Sequence, residues 1–133
     1  MILLDTHVIL WWQAGGDRLS SVARQHIAAA RTVLVSPISF WEISILVAKG
    51  RLALDRDTSV WAQDFLETER VRLAEPTATV AVAAGRLPPA GFEGDPADAI
   101  LYATARERGV SMVSKDQRIR MHAAAARDLR VLW

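Results

Sequence analysis

Short unbroken apolar runs alternate with longer stretches of helical composition along this chain, and most runs end in polar residues. Met1–Leu4 closes on Asp5-Thr6, the pattern of a strand buried on both faces whose polar end opens into a loop. Val33–Val35, Val71–Leu73 and Val110–Val113 read as further short strands, and Leu129–Trp133 as a closing one. Between them the capping and breaking residues predict helices. Val8–Trp12 forms a short helix stopped near Gly15-Gly16, and Ser20 or Ser21 caps a second to about Arg31, with Val22, Ile27 and Ala30 facing inward. Ser36-Pro37 opens a third, because Ser suits the N-cap and Pro the first helical position; it reaches Lys49 and stops at Gly50. Thr58 or Ser59 caps a fourth through Glu69, with Trp61, Phe65 and Leu66 on one face. Glu75-Pro76 introduces an alanine-rich helix ending at Gly85, and Leu87–Gly94, with its Pro88-Pro89 pair, is a loop. Asp95-Pro96 starts a helix ending at Gly109, and Gln117–Arg127 is helical in composition. This alternation predicts one α/β domain over residues 1–133, a mainly parallel central sheet flanked by helices.

Composition narrows the partners. A chain of 133 residues with 51% hydrophobic content suffices for one packed core. Sixteen Lys and Arg against 15 Asp and Glu leave a net charge of +1, so any contact with nucleic acid is local and not driven by a global basic field. The absence of cysteine excludes disulfides and thiolate zinc sites. Met1–Leu4 lacks a basic n-region, and no run approaches the ~20 apolar residues of a membrane span, so the expectation is a soluble, cytoplasmic protein without membrane association.

Four carboxylates carry the candidate chemistry. Asp5 and Asp116 each follow a predicted parallel strand, and the carboxyl ends of such strands form the usual ligand crevice of open α/β sheets. Either one also suits a helix N-cap. Glu42 lies in a helix carrying Ile38, Phe40, Trp41, Ile43, Ile45, Leu46, Val47 and Ala48, apolar nearly all round, so it is expected to be largely buried and to need a cation. A salt bridge to Lys49 or an Arg would serve as well as a metal. Asp98 stands three residues after Asp95 at the start of its helix, where an acid favours the helix dipole; Asp95 reads as the N-cap. Together the acids sit at one predicted edge of the sheet, and such convergence favours a hard divalent cation, Mg²⁺ or Mn²⁺. Ser114 is a plausible neighbour for Asp116, with a turn hydroxyl as the alternative. His7 is expected to point elsewhere on the first helix turn, while His26 and His122 stand alone without zinc spacing.

The chain resembles the PIN-domain family and, within it, the VapC-type toxins of toxin–antitoxin pairs. The resemblance rests on Leu3-Leu4-Asp5-Thr6-His7 with Leu10-Trp11-Trp12; on Ser36-Pro37-Ile38-Ser39-Phe40-Trp41-Glu42-Ile43; on Asp95-Pro96-Ala97-Asp98-Ala99-Ile100 with Ala103-Thr104-Ala105; and on Val113-Ser114-Lys115-Asp116. The stretches run from end to end in the family's order. By position, the resemblance implies that Asp5, Glu42, Asp98 and Asp116 are the catalytic metal-site acids, with Thr6 and Ser114 as supporting hydroxyls and Asp95 outside the core set. Ala99 stands where such toxins often have a basic residue, and Glu93 where they often have His, which bears on how the substrate phosphate is held.

The implied activity is a metal-dependent endoribonuclease that hydrolyses RNA phosphodiester bonds with Mg²⁺ or Mn²⁺. Lys115, Arg118 and Arg120 are the cations nearest a site acid in sequence and the candidate phosphate contacts, with a solvated helix face as the alternative for each. Trp11, Trp12, Trp41, Trp61 and Trp133 are expected mostly in the core. The resemblance further implies a homodimer and a VapB-like antitoxin that covers the site. A PIN nuclease of RNA maturation or of structured DNA is the alternative enzyme, and a catalytically dead PIN fold used only for binding is another. A phospho-receiver domain is disfavoured: it needs an acceptor Asp after a central strand, whereas Val33–Val35 leads into Ser36-Pro37 and Val71–Leu73 into Ala74-Glu75.

Overall fold

The computed structural model describes residues 1–133 throughout. Five strands, β1 (Ile2–Leu4), β2 (Val33–Val35), β3 (Val71–Leu73), β4 (Ser111–Val113) and β5 (Val131–Leu132), form one sheet in the order β3-β2-β1-β4-β5. Every pairing is parallel. Seven helices connect them: α1 (Thr6–Ala14), α2 (Ser21–Ala29), α3 (Pro37–Ala48), α4 (Thr58–Leu66), α5 (Ala78–Gly85), α6 (Pro96–Arg108) and α7 (Gln117–Ala126).

The central strands β1 and β2 are apolar and buried throughout because helices cover both sides of the sheet, whereas edge strand β3 carries exposed Arg72 and Leu73. Ile2 and Leu4 turn to one face, where they pack with Val33, Val35, Ile9, Ile27, Trp61 and Phe65. Leu3, Leu34 and Met112 turn to the other, against Val80, Leu101, Tyr102 and Ile119. The strand period of two therefore feeds two cores from one sheet. β1 is central, and the chain builds outward to β3 on one side before crossing to β4 on the other. A crevice at the carboxyl ends of β1 and β4 follows from that reversal.

Several boundaries differ from the sequence expectations for identifiable reasons. Helix α1 begins at Thr6, two residues early, because Asp5 is its N-cap and accepts the Thr6 N–H. In α2 the inward residues are Ala23 and Ile27, four apart, while Val22 is 41% exposed and the helix ends at Ala29. Asp57, not Thr58 or Ser59, caps α4, which stops at Leu66. Helix α5 starts at Ala78 under a Thr77 cap, later than Glu75-Pro76 suggested. The Leu87–Gly94 loop contains a 3-10 turn at Pro88–Ala90, and the last strand spans only Val131–Leu132. The largest departure is α3: only Ser39 and Ile43 are buried on it, Glu42 is half-buried, and Trp41 is 57% exposed. Its apolar composition thus includes solvent-facing surface within this single chain. Trp61 is core, whereas Trp11, Trp12 and Trp133 are only partly covered. No helix is long and apolar enough to cross a membrane.

Candidate active site

Four chain segments deliver side chains to the crevice at the ends of β1 and β4. Asp5 arrives directly from β1, and its backbone N–H donates to the Val113 carbonyl (3.0 Å), extending the β1–β4 pairing by one rung. That rung places Asp5 beside Ser114. The Ser114 hydroxyl donates to Asp5 Oδ2 (2.6 Å), and its oxygen accepts the Asp116 N–H (3.0 Å). Asp5 Oδ1 accepts the Thr6 N–H at 2.7 Å. Ser114 is fully buried and Asp5 nearly so, so both bonds are made away from solvent, where an unmade one costs about 1–3 kcal/mol.

Glu42 comes from α3, whose start is fixed by Ser36 accepting the Ile38 N–H and by Pro37 in the first turn. The Thr6 hydroxyl lies 2.5 Å from Glu42 Oε1 and 2.9 Å from Ser39 Oγ. Thr6 has a single proton, so when it donates to Glu42 it accepts from Ser39, and the three form a directed chain. Asp98 comes from the first turn of α6, where it and Asp95 form a reciprocal capping box: Asp98 N–H donates to Asp95 Oδ1 (2.8 Å) and Asp95 N–H to Asp98 Oδ2 (3.1 Å). Gly94 allows this approach, since a Cβ there would lie 2.9 Å from the Asp98 Cβ and 2.5 Å from the Phe92 ring.

The structure brings Glu42, Asp95 and Asp98 together, with one carboxylate oxygen from each inside a 4.8 Å span. Asp95, read from sequence as a cap alone, is therefore also a member of the cluster. The capping signal hid this second role. Asp5 joins the same electrostatic unit, since its charge is felt at both Glu42 and Asp98. Burial is the main cause that raises Asp5, Glu42 and Asp98 above the ordinary carboxylate range, with neighbouring acids adding to it. Asp98 is pushed up to about 7.

Asp116 behaves differently. Partial burial pushes it up, but hydrogen bonds from Arg118 and from the Ile119 and Arg118 backbone outweigh this and leave it below its usual value. It caps α7, with Oδ1 accepting the N–H groups of Arg118 (2.8 Å) and Ile119 (3.3 Å). The Arg118 guanidinium reaches back to Asp116 Oδ2 (3.0 Å) and stands 3.6 Å from Asp98 Oδ2. The other two candidate cations do not reach the acids. Lys115 extends over the Trp11 ring at 5.7 Å, and Arg120 is exposed on α7 without an ion pair.

His7 does not point away from the site. Its Nε2 accepts the Lys115 N–H (3.0 Å), so the neutral ring carries its proton on Nδ1, which faces Asp5 Oδ2 at 3.6 Å. Burial lowers its pKa, partly offset by Asp5 and Asp116. His7 thereby ties the β4 loop to α1 and packs, with its ring tilted by 54°, against Trp11, itself beside Trp133. Its spacing from Asp5 carried no signal of this tie, because the contact to Lys115 crosses 108 residues.

The cluster offers only oxygen ligands, Asp98 buried, Glu42 half-buried and Asp95 exposed, with one arginine as counter-charge; such a donor set fits a hard divalent cation. A parallel sheet of this order with acids gathered at its switch point defines an α/β domain with a crevice suited to a divalent cation. The PIN domain model matches residues 2–125, and the chain belongs to the PIN-domain family. It is 42% identical over 121 residues to ribonuclease VapC22 of Mycobacterium tuberculosis, a stretch covering 91% of both chains. Among solved structures it is similar to FitAcB from Neisseria gonorrhoeae, at 22% identity and TM-score 0.65, covering 98% of this chain and 96% of that one. It is also similar to VapC20 of Mycobacterium tuberculosis, described as a sarcin-ricin loop cleaving toxin, at 20% identity and TM-score 0.68, covering 92% and 95%. These structural likenesses establish the fold.

Proposed function

We propose that this chain is the toxin of a type II toxin–antitoxin pair, an endoribonuclease that hydrolyses RNA phosphodiester bonds at the acid cluster with Mg²⁺ or Mn²⁺. The observation that carries the reading is the gathering of Glu42, Asp95 and Asp98 beside Asp5, three of the four raised above the ordinary carboxylate range by burial and mutual repulsion. The relative at 42% identity is named a ribonuclease. Solved neighbours include toxin–antitoxin complexes, one from Klebsiella pneumoniae, and the same reading assigns a VapB-like antitoxin and a homodimer here.

Each residue then has a defined task. Asp5, Glu42 and Asp98 hold the cation, with Asp116 at the rim and Asp95 alongside. Ser114 keeps Asp5 turned inward, and Thr6, steadied by Ser39, does the same for Glu42. Asp98, pushed up to about 7 chiefly by burial, would give up its proton on taking a cation. When bound, the divalent ion activates water and neutralises charge on the phosphoryl oxygens. Expression of the chain alone is expected to arrest growth and to generate new RNA ends. Asp5→Asn and Glu42→Gln, which keep shape and lose charge, are expected to abolish both while remaining soluble. Persistence of arrest in either variant removes that residue from the active site.

A further inference from the structure

Arg118 is the one lysine or arginine within ion-pair distance of the site acids. Its position is specific. Asp116 Oδ1 is already committed to the backbone of α7, which leaves Oδ2 as the oxygen free for a cation, and that is the atom Arg118 Nη2 occupies. The same nitrogen stands 3.6 Å from Asp98 Oδ2, so the guanidinium bridges two of the acids assigned to the metal. Its side chain is 51% exposed, so solvent screens its charge; Nε also reaches Asp116 Oδ1 (3.4 Å) and Nη1 the Glu93 carbonyl (3.5 Å), contacts that an entering cation would have to open. A divalent ion drawn to these oxygens meets a fixed positive charge, because arginine does not deprotonate.

Where the guanidinium would go is also visible. Arg118 forms one wall of a groove of about 660 Å³ between the 88–94 turn and α7, lined further by Gly91, Glu93, Gln117, Met121 and His122. The groove thus opens beside the acids, sharing Arg118 with them.

We propose that Arg118 is a built-in counter-ion that a divalent cation must displace from Asp98 and Asp116, and that, once displaced, it turns into the adjoining groove and holds an RNA phosphate there. The proposal rests on the ribonuclease reading above. It joins metal entry to substrate binding: the arginine is available to the backbone only after the acids have exchanged it for the ion. A planar fork suits a phosphate as well as it suits a carboxylate, so the same group serves both states.

The test compares the parent chain with Arg118→Gln and Arg118→Lys, all checked for parental melting. Mn²⁺ affinity is measured by titration calorimetry at fixed pH without RNA, and KM by cleavage of a short RNA at saturating Mn²⁺. Arg118→Gln is expected to bind Mn²⁺ about five- to tenfold more tightly, since one opposing charge and its two ion pairs, to Asp98 and Asp116, are removed. Its KM is expected to rise about tenfold or more. Arg118→Lys is expected to restore parental Mn²⁺ affinity while recovering KM only in part, because an ammonium replaces the charge and not the fork. Unchanged or weaker Mn²⁺ binding in Arg118→Gln overturns the proposal and leaves Arg118 as a brace for Asp116. An unchanged KM overturns its phosphate role. A parent chain that takes up no Mn²⁺ at all refutes the metal reading beneath it.

Discussion

Asp98→Asn separates the two jobs that the sequence left open for this residue, helix capping and cation binding. Asn keeps an oxygen to accept the Asp95 N–H, so the capping box survives in part and the charge alone is removed. In the parent, Asp98 titrates near 7 in the folded state against an ordinary 3.8, a difference of about 3 units, or ~4 kcal/mol at 1.36 kcal/mol per unit. Because this acid is raised on folding, its stabilising protonation is complete below about pH 4 and is lost as pH rises through 7. Burial is the larger cause of that difference, repulsion from Asp5, Asp95 and Glu42 adds to it, and because the acids titrate together about half of it, ~2 kcal/mol, is assigned to Asp98. Loss of the favourable charge at the α6 N-terminus offsets about 0.3–1 kcal/mol of that. The metal-free variant is therefore expected to be more stable than the parent at pH 8 by ~1–2 kcal/mol, or roughly 3–6 °C in melting temperature. The advantage shrinks at pH 5. With Mg²⁺ or Mn²⁺ added, the parent should gain more than the variant, because the variant binds the ion less well. Thermal denaturation in EDTA and in Mn²⁺, at both pH values, reads all of these terms. A variant that melts below the parent by the same margin at both pH values, and gains equally from metal, would show that Asp98 only caps its helix.

Two further substitutions test the groups that orient the acids. Ser114→Ala removes the donor to Asp5 and the acceptor of the Asp116 N–H inside a fully buried position; a loss of about 1–3 kcal/mol is expected by urea denaturation, and Asp5, left without the Ser114 hydroxyl on Oδ2, should demand a higher pH for metal binding. Gly94→Ala drives a methyl against the Asp98 Cβ and the Phe92 ring, and a cost of ~1–3 kcal/mol with a parallel fall in Mn²⁺ affinity is expected by calorimetry. Parental metal binding in Gly94→Ala would mean that the turn does not set the position of Asp98.

The layered fold was legible because its signals are local. Apolar runs such as Val33–Val35 bounded by Ser36-Pro37, and Asp95-Pro96 ahead of a periodic helix, state strand and cap in a few residues. The misplaced boundaries occurred where two capping residues compete, as at Asp57 beside Thr58, or where apolar composition concealed an exposed face, as at Trp41 on α3. At the site, Asp5 and Asp116 were marked by strand ends and Glu42 by an acid in an apolar helix. Three features lay beyond reach: the double duty of Asp95, the tie from His7 to Lys115, and Arg118 across Asp98 and Asp116. Each depends on side-chain direction between segments distant in the chain, or on a local explanation that already sufficed.

The central claim is that the acid cluster hydrolyses RNA only when loaded with a hard divalent ion. Its most direct test is cleavage of RNA by the purified chain, with Mg²⁺ or Mn²⁺ titrated against EDTA and Asp5→Asn run alongside as a check on contaminating nuclease. The account predicts cleavage that follows free metal, vanishes in excess chelator, returns when metal is restored, and is absent from Asp5→Asn. Cleavage by the parent that survives exhaustive chelation and is missing from Asp5→Asn would contradict it, because the acids would then be acting without the ion.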